Sequence, residues 1–172
     1  PTSGGTPRQI TSGNFDHAGT DWTPDGRTIL LSGLRSDDDS YQWRESEIYA
    51  VDVADGAIHQ LTKRRGPDGN PAVSPDGKRV AYTGYDWTTD TWVDSKIYVM
   101  NIDGSNSRLV SGDWDRAPSE LRWSADGGGL YFTAQNEGSQ NLYFLPLTAA
   151  GKVTPVTKGT QMLTVSDISA KG

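Results

Sequence analysis

Short apolar runs separated by turn residues make up the pattern of this chain. Residues 29–31 and 48–51 are apolar at successive positions, which is typical of strands that are buried on both faces. No apolar period of 3.6 residues continues for ten residues, and turn residues interrupt the chain too often for helices. The pattern therefore predicts an all-β fold built from short, buried strands.

A recurring turn organises these strands. The turn Pro24-Asp25-Gly26 returns as Pro75-Asp76-Gly77 and as Ala125-Asp126-Gly127, so that its glycines lie 51 and 50 residues apart. Asp-Gly is a favoured pair for a tight hairpin, because such a turn needs a positive φ. A decayed copy, Ser169-Ala170-Lys171-Gly172, ends the chain. The spacing indicates an internal repeat.

Each repeat contains four predicted strands, called A, B, C and D in chain order. Strand A precedes the Asp-Gly turn, strand B follows it, strand C has an apolar-Tyr pattern and strand D is short. Units of this length with four strands are typical of the blades of a β-propeller. The sequence therefore predicts a partial β-propeller with three four-stranded antiparallel blades and an orphan strand at each end. The predicted boundaries are 7–11 for the closing strand of a preceding blade, 19–62, 70–110 and 119–157 for the three blades, and 163–172 for the start of a further blade.

Three blades cannot close a ring, because closed propellers have at least four. We therefore expect residues 1–172 to form a single partial propeller domain cut from a longer protein, with Pro1 in place of an initiator Met. Apolar blade faces would then be exposed at both ends. The isolated chain is expected to self-associate through these open faces.

The composition narrows the classes of function. The net charge is -6, whereas nucleic-acid binding needs a basic stripe, so no nucleic-acid partner is expected. No apolar stretch approaches the roughly 18 residues of a membrane span, and no membrane partner is expected either. With Cys 0, disulfides and thiolate chemistry are excluded. The compartment stays open between the cytoplasm and the periplasm.

Several stretches resemble the propeller repeats of known families. Residues 74–82, SPDGKRVAY, and 97–104, IYVMNIDG, are similar to repeats of TolB-type proteins and of the prolyl oligopeptidase family of serine peptidases. Other stretches, and the long B–C loops of the first two blades, resemble the acylaminoacyl-peptidase and dipeptidyl-peptidase branch of that family more closely. These are 112–115, GDWD, leading to 121–126, LRWSAD, together with 130–134, LYFTA, and 153–159, VTPVTKG.

The resemblance implies a function for a larger protein. In such peptidases an N-terminal propeller caps an α/β-hydrolase domain, which carries the catalytic Ser, Asp and His, and gates access to it for short peptides. This chain would then be non-catalytic, and its partners would be a C-terminal hydrolase domain of the same protein and the peptide substrate. Two alternatives stay open: a TolB-like propeller that binds protein partners, and a propeller enzyme such as a lyase with its site in the channel.

The residues themselves offer no catalytic machinery. The nucleophile elbow G-x-S-x-G and the zinc motif H-E-x-x-H are absent, and His17 and His59 fall in a loop and at a strand edge. Gly127-Gly128-Gly129 lies at a hairpin and is typical of a turn. The run Asp37-Asp38-Asp39 lacks the alternating oxygen ligands and the distal Glu of a calcium loop. No catalytic, cofactor-binding or metal-binding residue is predicted, and no cofactor is expected.

The positions of the tryptophans indicate one candidate functional surface. Strand A carries Trp22 and Trp123, for which we expect core positions. The D–A and B–C loops share one end of the blades, because the strands alternate in direction, and the other tryptophans fall on these loops. Either the loops fold back and bury their aromatic side chains, or this face docks a second domain or contacts a substrate. Aspartates nearby would then favour cationic peptide ends. The candidate residues are Trp43, Trp87, Trp92 and Trp114, with Asp86, Asp90 and Asp113.

Overall fold

Twelve strands and no helix make up the described part of the computed structural model, which covers residues 4–36, 42, 44–148 and 151–169. Nothing in that part could therefore cross a membrane as a helix. The strands form three separate four-stranded antiparallel sheets. The predicted all-β partial propeller with three four-stranded blades is confirmed, and the three sheets do not close into a ring.

Every blade has the same strand order, from an inner strand to an outer edge strand. Blade 1 consists of β1 (His17–Trp22), β2 (Thr28–Gly33), β3 (Glu47–Asp52) and β4 (Ile58–Gln60). Blade 2 consists of β5 (Asp68–Val73), β6 (Arg79–Gly84), β7 (Lys96–Asn101) and β8 (Arg108–Leu109). Blade 3 consists of β9 (Pro118–Trp123), β10 (Gly129–Asn136), β11 (Ser139–Pro146) and β12 (Thr154–Pro155). The inner strands β1, β5 and β9 lie side by side.

The Asp-Gly turn closes the first hairpin of each blade through the same side-chain bonds. In blade 2 the Ser74 hydroxyl donates to Asp76 Oδ1 at 2.6 Å and accepts from the N–H of Arg79 at 2.9 Å. Thr23 and Ser124 make the corresponding bonds in blades 1 and 3. The turn glycine has a φ of 68° to 70° in all three copies. The repeated sequence therefore specifies the hairpin by conformation and by hydrogen bonding.

The core lies between the blades. Leu30 and Ile48 of blade 1 pack against Val80, Tyr82 and Met100 of blade 2. A second cluster joins blade 2 to blade 3 in the same way. Because blade 2 is covered on both faces, its central strands are apolar at successive positions.

The two inner-strand tryptophans differ in burial, although both were expected in the core. Trp123 is 7% exposed, and its Nε1 donates to the carbonyl oxygen of Ala72 in blade 2 at 2.8 Å. Trp22 is 51% exposed. The prediction for Trp22 is wrong because the equivalent Trp123 is covered by the blade before its own, whereas no sheet precedes blade 1 among the described residues.

The end segments follow the sheets without joining them as strands in the described part of the chain. Ile10 packs against Tyr49 and Val51 of blade 1. At the other end, the N–H of Val165 donates to a carboxylate of blade 3 at 3.0 Å. A strand needs a continuous hydrogen-bonded ladder, and among the described residues the C-terminal segment makes only one isolated parallel bridge to blade 3, between Met162 and Gln140. Residues 170–172 of the expected further blade lie outside the described residues.

Candidate functional site

One end of the blades, which we call the loop face, carries the candidate residues. It is formed by the described residues of the B–C loops 34–46 and 85–95 and by the D–A loops 61–67 and 110–117. The A–B and C–D hairpins form the opposite end, the hairpin face. Trp43 and the run Asp37-Asp38-Asp39 lie outside the described residues.

Arg64, in the D–A loop between blades 1 and 2, binds three side chains of blade 2. Its Nη1 donates to Asp86 Oδ1 at 2.8 Å and to the Tyr98 hydroxyl at 2.9 Å, and its Nη2 pairs with Asp68. The guanidinium carbon also lies 4.2 Å from the centre of the Tyr98 ring. Asp68 is fully buried, so this arginine compensates a charge that water cannot reach.

Arg65, the next residue, fixes Trp87. Its guanidinium carbon lies 3.9 Å from the centre of the Trp87 ring, while its carbonyl accepts from the N–H of Trp87 at 3.0 Å. Glu45 binds the same loop through Arg65, at 3.6 Å, and through the N–H of Gly66, at 3.0 Å. Trp87 remains 40% exposed. Its ring is therefore presented to solvent in a fixed position.

Trp92 is the most exposed of the large apolar side chains on this face, at 82%. The loop before it is held by Arg44 of the first B–C loop. Arg44 Nη1 donates to the carbonyl oxygens of Asp90, at 2.8 Å, and Thr88, at 3.3 Å. A cation from blade 1 thus fixes a loop of blade 2 through backbone acceptors. Trp92 projects from a loop whose backbone is restrained.

Trp114 has a different environment. It packs at an angle to Phe132 and Tyr143, with ring centres 5.7 Å and 5.0 Å away, and it adjoins the core between blades 2 and 3. The guanidinium carbon of Arg116 lies 5.0 Å from its ring centre. Trp114 therefore contributes more to the core than to the surface of the loop face.

Exposed carboxylates lie on the loops of this face. The Asp86 side chain is 81% exposed, and Asp90 and Asp113 are exposed as well. The loop face therefore combines exposed carboxylates with arginines that hold its loops, of which Arg64 is largely covered and Arg65 is 69% exposed. The sequence reasoning did not single out these arginines, although Lys63-Arg64-Arg65 in a D–A loop was a signal that could have found two of them.

Glu47, the first residue of β3, is a buried carboxyl group near Asp68 and Arg64. It accepts a hydrogen bond from the Thr62 hydroxyl at 2.5 Å, and only 9% of the residue is exposed. Burial raises the pKa of Glu47 to about 7, and the nearby charges of Asp68 and Glu45 act in the same direction. Burial also raises the pKa of Asp68, against the effect of Arg64.

The two histidines have separate surroundings. His17 Nε2 lies 2.8 Å from Arg35 Nη1, and burial together with this guanidinium lowers the pKa of His17. His59 is exposed on β4, opposite Ala50 of β3. Within the described ranges, no three His, Cys, Asp or Glu side chains are grouped so that they could hold a metal ion.

The sequence of this chain is similar to those of known proteins. Residues 39–172 match the family model described as TolB beta propeller domain. Dipeptidyl-peptidase 5 of Arthroderma otae is 29% identical over 147 residues, which cover 78% of this chain and 20% of that protein. The chain thus spans about a fifth of the length of the curated relatives it matches.

Solved structures show the same similarity. TolB from Acinetobacter baumannii has a TM-score of 0.75 and 25% identity, over 99% of this chain and 39% of that one. The acylaminoacyl peptidase of Pyrococcus horikoshii has a TM-score of 0.61 and 26% identity, over 87% of this chain and 22% of that one.

Four-stranded sheets stacked around their inner strands define the class of this protein as a β-propeller. More particularly, the chain belongs to the TolB β-propeller family. The resemblance to the propellers of prolyl oligopeptidase-type peptidases, expected from the repeats, is confirmed by relatives named dipeptidyl-peptidase 5 and by the acylaminoacyl peptidase.

Proposed function

We propose that this chain is the propeller portion of a serine peptidase, in which its loop face covers an α/β-hydrolase domain and limits access to short peptides. The observation that carries the proposal is the pair Trp87 and Trp92, which are exposed on loops that Arg65 and Arg44 hold in place. The relatives named as dipeptidyl-peptidases support the peptidase assignment.

The physical argument concerns the cost of docking. Exposed tryptophans are over-represented among the residues that dominate protein interfaces. A side chain that is ordered before binding loses less conformational freedom on docking. Trp87 is stacked on Arg65, and the loop before Trp92 is bonded to Arg44, so both meet this condition. Asp86 and Asp90 beside them would attract cationic groups, such as the free α-amino group of a peptide.

The test uses the full-length protein with Trp87 and Trp92 both replaced by alanine. We expect weaker association of the two domains, seen as faster hydrogen exchange in 85–95, and altered kcat/KM for peptides. Leu109→Ala is the matched control, because Leu109 is 46% exposed on the outer edge strand β8 and not on the loop that carries the two tryptophans. Unchanged exchange and unchanged kinetics in the double variant would refute the proposal.

A TolB-like interaction module is the second candidate function. It is favoured by the similarity to TolB from Acinetobacter baumannii, which extends over 99% of this chain. A fluorophosphonate probe for active serine hydrolases separates the two candidates. Labelling of the full-length protein supports the peptidase, whereas a full-length protein that is not labelled and contains no G-x-S-x-G supports the binding module.

A further inference from the structure

Two buried carboxyl groups lie within reach of the Thr62 hydroxyl, at the junction of blades 1 and 2. Glu47 begins β3 and is 9% exposed, whereas Asp68 begins β5 and is fully buried. The Thr62 hydroxyl donates to Glu47 Oε2 at 2.5 Å and accepts from the N–H of Ile48 at 2.9 Å. It is also close enough to lower the pKa of Asp68 as a hydrogen-bond donor. Because a hydroxyl has one proton to donate, the two carboxyl groups compete for it.

Asp68 is the carboxylate that loses this competition. Its Oδ1 pairs with Arg64, but its buried Oδ2 has no hydrogen-bond partner among the described residues while Thr62 donates to Glu47. An oxygen of a buried carboxylate that lacks a donor is costly. The Asp68 carboxylate is therefore positioned to accept the Thr62 proton whenever Glu47 does not need it.

The charges around Glu47 do little to stabilise its ionised form. The titratable or charged side chains that act on Glu47 or line the hollow beside it are Arg35, Glu45, Tyr49, Arg64, Arg65 and Asp68. Asp68 and Glu45 raise the pKa of Glu47 and Arg64 lowers it, but Arg64 already pairs with Asp68 and Asp86. Burial acts with the carboxylates and brings the pKa of Glu47 to about 7. Glu47 therefore changes its charge near neutral pH.

The protonation state of Glu47 decides the direction of these hydrogen bonds. A neutral Glu47 donates to the second lone pair of Thr62 Oγ1, and the Thr62 proton is then free for Asp68 Oδ2. Both carboxyl groups are satisfied, and Arg64 faces a single buried negative charge. An ionised Glu47 takes the Thr62 proton, leaves Asp68 Oδ2 without a donor and adds a second buried charge beside one guanidinium, which is unfavourable.

The loop that carries Thr62 also positions Trp87. Arg65 of this loop stacks on the Trp87 ring and accepts from its backbone N–H at 3.0 Å. A Cβ on Gly66 would lie 2.8 Å from the backbone nitrogen of Trp87, so the two loops touch through backbone atoms. A hollow of about 620 Å³ is lined by Glu47, Arg65 and Trp87 together. Loosening of this D–A loop would therefore release Trp87.

We propose that Glu47, Thr62 and Asp68, which we call the carboxyl latch, hold the D–A loop 61–67 in place while Glu47 is neutral and loosen it when Glu47 is ionised. The loop face then presents Trp87 in a fixed position in mildly acidic solution and in a looser one above neutral pH. The effect on domain docking rests on the proposed function, whereas the carboxyl latch itself does not.

The test measures hydrogen exchange of residues 61–67 in the full-length protein at pH 5 and pH 8, as protection relative to the intrinsic rate at each pH. We expect protection to fall roughly 10- to 100-fold at pH 8, because Glu47 ionises more readily once the loop has opened and its carboxyl group is hydrated. Glu47→Gln keeps the side chain neutral and should make the protection equal at both pH values. Glu137→Gln, which alters an exposed carboxyl group between β10 and β11, is the matched control and should retain the full pH dependence.

Two further variants separate the carboxyl latch from burial of Glu47 alone. Asp68→Asn removes the competing carboxylate, so the pH dependence of protection in 61–67 should shrink at least about three-fold. Thr62→Ser retains the hydroxyl and should preserve the pH dependence. Full pH dependence in either Glu47→Gln or Asp68→Asn would overturn the inference. If Glu47→Gln does not fold, Asp68→Asn decides the point.

Failure of the proposed function has a different signature. If replacement of Trp87 and Trp92 by alanine changes neither exchange in 85–95 nor peptide kinetics, the docking role fails. The carboxyl latch is then still judged by the exchange of 61–67, which requires no peptidase activity. Conversely, protection in 61–67 that is the same at pH 5 and pH 8 in the unaltered protein would overturn the carboxyl latch and leave the proposed function standing.

Discussion

The carbonyl oxygen of Ile10 lies 2.6 Å from the place that a Cβ on Gly56 would occupy. The same contact recurs one blade later, where the carbonyl oxygen of Leu61 lies 2.6 Å from the corresponding point on Gly104. The segment around Ile10 therefore occupies the place against blade 1 that the closing segment of blade 1 takes against blade 2.

This contact makes Gly56 and Gly104 sensitive to substitution. Gly56→Ala is expected to lower the free energy of unfolding by roughly 2–4 kcal/mol, because its φ is 77° and the new methyl group would meet a backbone oxygen. Urea unfolding measures the change. Gly26→Ala is the matched control, with a φ of 68° and nothing within 4 Å, and should cost only about 1–2 kcal/mol. Equal costs would contradict the role of the carbonyl contact.

Glu47 makes the stability of the chain depend on pH. The pKa of Glu47 is raised from 4.5 to about 7, so the folded state favours the protonated carboxyl group. Its contribution to the free energy of unfolding is therefore fully present below pH 4.5 and is lost as the pH rises to about 7. The expected loss is of the order of 3 kcal/mol. Glu47→Gln should flatten the pH dependence in this window, as measured by urea unfolding between pH 5 and pH 8. If the free energy of unfolding of Glu47→Gln depended on pH as steeply as that of the unaltered chain, Glu47 would not be its cause.

Removing Arg64 alone should destabilise the fold more than removing the charges of Arg64 and Asp68 together. Arg64→Met should destabilise the fold by about 3–5 kcal/mol, because Asp68 is then left as a buried charge without its partner. Combining it with Asp68→Asn should recover part of this loss. Arg65→Met is the control, since its side chain is 69% exposed and should cost less than about 1 kcal/mol. A double variant less stable than Arg64→Met would contradict the argument.

Trp123 and Trp22 occupy equivalent positions but should respond differently. Trp123→Phe removes the indole N–H that donates to the carbonyl of Ala72, and we expect a loss of about 0.5–1.5 kcal/mol in the free energy of unfolding. Trp22→Phe should change it by less than about 0.5 kcal/mol, because that ring is half exposed. Thermal or urea unfolding of both variants measures the two losses, and equal losses would contradict the difference expected between Trp123 and Trp22.

The exposed ring of Trp22 also predicts self-association of the isolated chain. Light scattering should show a mass that rises with concentration, since the first face of blade 1 has no covering sheet among the described residues. Trp22→Lys should shift the equilibrium toward the monomer, whereas Trp92→Lys on the loop face should shift it less. A concentration-independent monomer for the unaltered chain would exclude this association.

The sequence was informative where a feature depends on local chemistry. The Asp-Gly turns and the apolar central strands needed only near neighbours, so the three blades could be predicted from spacing. The inner strands β1, β5 and β9 also share a β-bulge with a positive φ at Gly19, Asn70 and Glu120. Gly19 and Asn70 are residue types that accept a positive φ, but Glu120 is not. The Glu120 carboxylate accepts hydrogen bonds from Thr133 and Val165, which are distant in sequence, so no local pattern shows this bulge.

The candidate site could be predicted only in outline. The loops that carry Trp87 and Trp92 followed from the strand order, but their exposure depends on partners distant in sequence. Arg44 reaches across 46 residues to the carbonyl of Asp90. Burial of Trp22 was wrongly predicted for a similar reason, because equivalence in the repeat does not guarantee an equivalent neighbour.

The contacts of Ile10 and Leu61 have a consequence for how such a chain can evolve. Blades 1 and 2 are each sealed on one side by the segment that precedes their first strand in the chain. Duplication of a window one repeat long therefore copies one complete seal, wherever in the repeat the window begins. A gene segment that begins or ends within a blade can then be duplicated without losing this contact between neighbouring sheets.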